Sequence, residues 1–401
     1  MKQKTIFITG ATGFLGSYVA RELFDAGFHL KLLVRKTTTS AKERLYEIFP
    51  ATRILSYGLK ALLKRIEIIE GDISRNYLGL SAREYFKLAD TVDEVFHCAE
   101  TTKLRKGEGD ALARINVLGT ALISLFCITK RPKRLHYIST AYVAGNRRGT
   151  VLEGELERGQ SFNNGYERSK YEAERYLAVF LGQYRIPCTI YRPSIITGDT
   201  ITGYTRNCDN IYVFFRELNR LKARGMPRNG NSFMTPLRIP GDKYSTINLL
   251  PVDYAARAIA AISMQAESIN KTFHIVNPSP PTLGELAVWL VAATGNNRIK
   301  IAPLHEFKMQ PHTLEEQLFL RRTAIFQPYM FGEACFDSTN TRSLLSGTGI
   351  ECPIVTDDLI CKYNEYAVGM NWGRKGQITE KMEKVDNGFE YFLNHLNTII
   401  I

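Results

Sequence analysis

Cysteine is scarce and dispersed in this chain. The seven cysteines, Cys98, Cys127, Cys188, Cys208, Cys335, Cys352 and Cys361, form no Cys-x-x-Cys pair and have no histidine cluster beside them. That spacing excludes the usual zinc motifs and gives no disulfide framework, so reduced structural thiols are expected. Long apolar runs are missing too: nothing approaches the roughly 18 residues a transmembrane helix needs, and no stable membrane insertion is expected. The opening MKQKTIFITG passes from lysines straight into a strand-like run without a cleavage-site pattern, which points to a cytoplasmic location. No internal repeat or low-complexity tract interrupts the chain. Acidic residues are outnumbered, 40 Asp and Glu against 52 Lys and Arg, for a formal charge of +12. Such an excess suits an acidic partner or a polyphosphate ligand, although any single basic cluster is equally well read as solvated surface. No nucleic-acid-binding module accompanies the charge, and nucleic acid is not expected as a partner.

What is present is a large apolar fraction, 44% of 401 residues, enough for a sizeable core and for two or three units. From Lys4 onward short β-rich runs alternate with longer amphipathic ones: KTIFIT with GSYVARELFDAG, HLKLLV with KERLYEIF, RIEIIEGD with SAREYFKLA, EVFHC with ARINVLGTALISLFCI, RLHYIST with YERSKYEAERYLAVFLGQY, then CTIYRP. This rhythm predicts an α/β fold, a Rossmann-type doubly wound parallel sheet, with continuous apolar strands buried on both faces. The rhythm weakens after about Asp199. Residues 1–200 are expected to form the nucleotide-binding domain, with segments at about 245–280 returning to it. Residues 201–401, mainly 201–244 and 281–401, are expected to form a smaller, mainly helical substrate lobe.

Between the first strand and first helix lies Gly10-Ala11-Thr12-Gly13-Phe14-Leu15-Gly16. Glycines here let the backbone turn tightly and approach a pyrophosphate, which then meets the exposed N–H groups of the helix N-terminus. A lone glycine triplet is weak evidence, but strand, loop, helix and second strand follow in the required order. At the end of the second strand stand Arg35 and Lys36, where an NAD-preferring site usually carries an acidic residue for the ribose hydroxyls. An arginine there can pair with a 2′-phosphate instead, a contact worth about 1.5–3 kcal/mol that favours NADPH. An exposed strand-end charge is the plainer alternative. Asp72, followed by Ile73, is a candidate adenine-side contact or simply a turn-forming residue.

In GYERSKYEAE, Tyr166 and Lys170 stand four residues apart at the start of a helix, on one face. An ammonium there favours the ionised phenol and is expected to pull the tyrosine's acidity toward working pH by about 1–3 units. A hydroxyl to complete the set is offered by HYISTAYVAG, with Thr140 preferred over Ser139.

In order and spacing, GATGFLGSYVARELF, LLVR, GDISRNYLGLS, INVLGT, HYISTAYVAG, YERSKYEAE and YRPSIITGDTITGY resemble the extended short-chain dehydrogenases/reductases. Within them the chain is similar to the thioester reductase domains of peptide and polyketide synthetases and to fatty acyl reductases. The resemblance covers about Thr5 to Gly203, with weaker echoes in LLPVDYAARAI and FHIVNPSPPTLGEL. It implies Thr140, Tyr166 and Lys170 as the catalytic set, Asn116 as a structural or proton-relay position, and Ala99 with Pro193, Ser194, Ile195 and Ile196 bordering the nicotinamide. It further implies NADPH-dependent reduction of an acyl thioester, held on an acyl carrier protein or on CoA, to the aldehyde, with a second reduction to the alcohol left open. An NADP-dependent dehydrogenase or epimerase of a sugar nucleotide or secondary alcohol, and a non-catalytic nucleotide-binding protein, are the competing readings. One departure stands out. In HCAETT, Glu100 follows Ala99 where the family usually has a small or apolar residue, and it either shapes the substrate pocket or points outward.

Overall fold

The computed structural model describes residues 4–35, 37, 44, 64–102, 109–130, 133–224 and 236–373. Seven strands build the central sheet: β1 (Thr5–Thr9), β2 (His29–Val34), β3 (Ile66–Glu70), β4 (Glu94–His97), β5 (Arg134–Ile138), β6 (Cys188–Pro193) and β7 (Lys271–Ile275). Their spatial order is β7-β6-β5-β4-β1-β2-β3, and each neighbouring pair is parallel. The central strands are apolar without alternation because both faces are covered: Ile6, Phe7 and Ile8 of β1 have no exposure. β3, at the sheet edge, instead exposes Glu67 and Glu70, and Lys31 of β2 pairs with Glu67 at 2.6 Å.

Helices α1 (Phe14–Asp25), α2 (Ala82–Thr91), α3 (Gly119–Ile128) and α4 (Gly165–Tyr184) connect these strands. Leu88 of α2, Ile123 and Phe126 of α3, and Ala173 and Leu177 of α4 fill one face of the sheet. On the other, Tyr18, Val19 and Leu23 of α1 share a core with Ala255, Ile259 and Ile262 of a later helix, α6 (Val252–Ser263).

A separate core belongs to the helices that follow β6. Phe215 and Leu218 of α5 (Ile211–Arg224), Leu286 and Leu290 of α7 (Leu283–Thr294), Phe319 of α8 (Leu314–Thr323), and Ile360 and Tyr363 of α9 (Asp357–Gly369) pack together. Capping boxes begin α2, α7 and α8, at Ser81/Glu84, Thr282/Glu285 and Thr313/Glu316. The chain crosses between the two bodies repeatedly: it leaves after β6, returns for α6 and β7, and leaves again at α7.

Three buried histidines hold polar positions in and beside the sheet. The Nε2–H of His136 donates to Glu94 Oε2 at 3.0 Å, and its Nδ1 accepts from the Tyr191 hydroxyl at 3.0 Å. Burial pushes His136 down to about 4, against the pull of Glu94. Burial, then the charge of Arg192, lowers His274 to about 4, and burial, then Lys170, lowers His97 to about 3. A folded histidine kept neutral below its unfolded value of about 6.5 binds fewer protons than the unfolded chain. Stability is therefore fully present above about pH 6.5 and is lost as pH falls through about 4, each unit of separation being worth about 1.4 kcal/mol. Glu94, held down to about 2 by its bonds to His136 and Lys4 in spite of burial, stays ionised throughout that range. Denaturant midpoints measured from pH 7 to pH 4 are expected to fall, by less than the histidines alone would give. Burial raises the carboxyls of Glu153, Glu167 and Glu333, the last to about 7, and their proton uptake in the folded state opposes the loss. A midpoint that rises over that range would contradict the neutral-histidine assignment.

Candidate active site

In an open parallel sheet the ligand crevice forms where the strand order reverses, here beyond the carboxyl ends of β1 and β4. Gly10 leaves β1 with φ of +77°, and a Cβ on it would lie 2.5 Å from the Ala99 nitrogen. A Cβ on Gly16 would sit 2.3 Å from the Gly10 carbonyl oxygen, so α1 packs directly on the loop. Gly13 is the N-cap of α1, with no side-chain cap and no acidic residue in the first turn. The helix therefore presents uncapped N–H groups and the positive end of its dipole at the crevice, a setting suited to phosphate. Thr12, Phe14 and Leu15 lie half-buried around this loop.

Arg35 is exposed just past β2, and Lys36 lies outside the described residues. Arg44, unsuspected from its sequence position, donates to the Arg35 carbonyl at 2.5 Å and to Thr12 Oγ1 at 3.1 Å. Its side chain bridges the glycine loop and the end of β2. No local signal marks it; its place depends on how the chain folds back. Asp72 accepts at Oδ1 from the backbone N–H and hydroxyl of Ser74, at 2.9 and 2.7 Å. Despite the cost of burial, those two bonds and then Arg35 hold its carboxyl below the usual range. Asp72 is thus a turn former, with Arg35 close by. Ile73, buried beside it, packs against Gly119 at the start of α3.

Thr140, Tyr166 and Lys170 come together at the carboxyl end of β5. Ser139 is already committed, its hydroxyl donating to Glu174. Thr140 Oγ1 accepts from the Tyr142 N–H at 3.3 Å and lies 3.4 Å from the Pro193 carbonyl, to which it donates. α4 starts at an Asn164 cap and carries Tyr166 and Lys170 on its crevice face. Lys170 Nζ is buried; it donates to the Ile138 carbonyl at 2.6 Å and lies 4.4 Å from the centre of the Tyr137 ring.

Glu100 points inward. Its Oε2 accepts from the Tyr166 hydroxyl at 3.2 Å and lies 3.1 Å from Lys170 Nζ. This overturns the expectation that Lys170 makes the phenol acidic. Burial, then the charge of Glu100, raises Tyr166 well above its ordinary value, against a smaller opposing effect of Thr140. Lys170 is itself raised, because Tyr137 and Glu100 outweigh the cost of its burial.

Asn116 sits in a single π-helical stretch, Ala113–Leu118, ahead of α3. Its Oδ1 accepts from the Thr101 N–H at 2.9 Å, and its Nδ2 donates to the Thr101 carbonyl at 3.1 Å and to Ser169 Oγ at 2.9 Å. These bonds clamp the backbone that carries Ala99 and Glu100. Beyond Pro193, the Ser194 hydroxyl donates to Asn248 at 2.6 Å, and Ile195 and Ile196 enter a short parallel pairing with Leu249 and Leu250. Among the described residues no group of three His, Cys, Asp or Glu is placed to hold a metal, and no helix is long and apolar enough to cross a membrane.

Known proteins are similar to this chain in sequence and fold. The chain is 26% identical to a linear gramicidin synthase of Brevibacillus parabrevis, over 92% of the chain and 7% of that protein. It is 28% identical to a carboxylic acid reductase of Mycobacterium marinum, over 72% of the chain and 26% of that protein. It thus spans about a quarter or less of the length of these curated relatives. Among solved structures, the terminal R domain from the myxalamid PKS-NRPS biosynthetic pathway superposes with a TM-score of 0.76 and 28% identity, covering 92% of each chain. The family model described as "Male sterility protein", an NAD-binding family, matches residues 8–259, from β1 to within α6 and so through the glycine loop, the crevice and all three clustered side chains. The chain belongs to that family.

Proposed function

We propose that this protein is an NADPH-dependent reductase of an acyl thioester, delivered on an acyl carrier protein or on CoA, with the aldehyde as product. The observation that carries the reading is the convergence of Thr140, Tyr166 and Lys170 at the sheet's carboxyl edge, beside a glycine loop with no room for a Cβ at Gly10 or Gly16. The cradle fits a dinucleotide. Gly10, Gly13, Gly16 and the α1 N-terminus would receive its pyrophosphate, and Arg35 with Arg44 would form a positive corner for a 2′-phosphate. When bound, that cofactor supplies the hydride.

The chain's own residues do the rest. Thr140 and Tyr166 offer hydroxyl donors to the thioester oxygen as negative charge grows there, a contribution of about 3–4 kcal/mol for one well-placed donor. Lys170, anchored on the Ile138 carbonyl, supplies fixed positive charge behind the phenol. Collapse of the tetrahedral adduct then breaks the carbon–sulfur bond, releasing thiolate and aldehyde. Holding the reactants in line is worth more, about 7–11 kcal/mol, so the clamped crevice is the larger contributor.

The test is to supply the purified protein with NADPH and, separately, an acyl-CoA, a carrier-bound acyl group and a free aldehyde, following cofactor absorbance and identifying products. Thioester-dependent oxidation with aldehyde formation is expected; oxidation with none of the thioesters would remove the reading. Arg35→Ala is expected to weaken NADPH binding about ten- to a hundredfold, the equivalent of one charge-assisted contact, with little effect on NADH. Equal losses for both cofactors would place the 2′-phosphate elsewhere.

A further inference from the structure

We propose that Glu100 is a positioning residue that keeps Tyr166 a proton donor, by placing one carboxylate oxygen between the phenol and the Lys170 ammonium. This goes beyond the catalytic set, and its activity readout rests on the thioester-reductase reading above. The geometry is specific: a single atom, Glu100 Oε2, meets the Tyr166 hydroxyl at 3.2 Å and Lys170 Nζ at 3.1 Å. The carboxylate is not free to wander. Asn116 binds both the N–H and the carbonyl of the adjacent Thr101. Asn116 also donates to Ser169 Oγ, which donates to the Tyr166 carbonyl at 2.8 Å. A closed circuit of bonds therefore ties the Glu100 loop to the turn of α4 that carries the phenol.

Among the described residues, the charges around this point reduce to two. Cys98 of the same loop, pushed up to about 12 chiefly by burial, remains a thiol. His97, at the end of β4, remains neutral. Tyr137 lies under Lys170 as an uncharged ring, and Thr140 contributes only a hydroxyl. Lys170 favours the phenolate and Glu100 opposes it. With the carboxylate in place the phenol keeps its proton, and so keeps its ability to donate to a growing oxyanion. The same contact has a cost, because a phenol has one proton and a substrate carbonyl must win it from Glu100.

Two consequences can be measured, the first without any substrate. In the full chain carrying tyrosine labelled with carbon-13 at Cζ, the Tyr166 signal is assigned by its loss in Tyr166→Phe and followed with pH. Wild-type Tyr166 is expected to show no ionisation below about pH 10, the ordinary tyrosine value. In Glu100→Ala, with Lys170 left unopposed, its titration is expected about 1–3 pH units below that of the wild type, and in the isosteric Glu100→Gln between the two. An unchanged Tyr166 titration in the variants, or ionisation below about pH 10 in the wild type, would overturn the proposal. Should Glu100→Ala fail to fold, the direction of the shift in Glu100→Gln decides by the same criterion. Second, kcat/KM for acyl-CoA reduction should lack an alkaline decline in the wild type and acquire one in Glu100→Ala, which a merely structural role would not produce. The titration of the free protein is independent of turnover, so a failed assay with a positive titration indicts the substrate assignment alone.

Discussion

Replacing Tyr166 by phenylalanine is expected to lower kcat by about 10²- to 10³-fold, the usual effect of deleting one oxyanion donor, while leaving NADPH binding essentially intact. Both halves of that expectation come from how Lys170 is held. The ammonium rests on the Ile138 carbonyl, over the Tyr137 ring and against Glu100, and none of these contacts needs the phenol. Removing the hydroxyl therefore strips the acid from the crevice without releasing the cation or disturbing the glycine loop beyond β1. Single-turnover kinetics with saturating cofactor, paired with a fluorescence titration of NADPH, separates the two quantities. Undiminished turnover would take Tyr166 out of the mechanism; a parallel loss of cofactor affinity would recast it as a binding residue.

The largest effect on stability is expected from Glu174→Ala, about 3–5 kcal/mol, the cost of leaving a buried charge without its counter-ion. Arg192 and Glu174 are 2% and 1% exposed and meet at 2.7 Å. The Arg192 Nε also donates to Glu174 Oε1 at 3.0 Å, and its Nη1 donates to the Glu155 carbonyl at 2.7 Å. With Glu174 gone, the guanidinium keeps the backbone carbonyls of Glu153 and Glu155 but no carboxylate, and Ser139 loses the acceptor for its hydroxyl. The damage lies close to the chemistry, since Ser139 precedes Thr140 and Arg192 precedes Pro193. Glu174→Gln, which keeps shape and an acceptor, should lose less. Urea unfolding of both variants checks this; a loss below about 1 kcal/mol for alanine would mean that the arginine finds water or another partner.

Much of this is legible in the sequence. The glycine loop announces itself because a strand, a tight turn and a helix must follow in fixed order, and the alternation of apolar runs prescribes the parallel sheet. Tyr166 and Lys170 declare their shared face by helical spacing alone. What spacing does not carry is long-range placement. Arg44 reaches Thr12 across 32 residues, Ser139 is captured by Glu174 across 35, and nothing near either end signals it. The same holds for the acidity of Tyr166: helical spacing shows the neighbouring ammonium, but not the burial or the carboxylate arriving from the end of β4, which raise the phenol instead. In HCAETT, Glu100 reads only as a departure from the family pattern; its inward direction depends on the sheet order that brings β4 beside β5.

The repeated crossing of the backbone between the sheet and the helical body built on α5, α7, α8 and α9 bears on how substrate enters. A cover joined to its base by one connection swings open on a hinge. Here several connections would have to bend in concert, so access to the crevice is better served by small sliding displacements of packed helices, in the manner of a shear motion. On the proposed reading, a long acyl group would then enter past side chains that yield locally rather than through a wide opening.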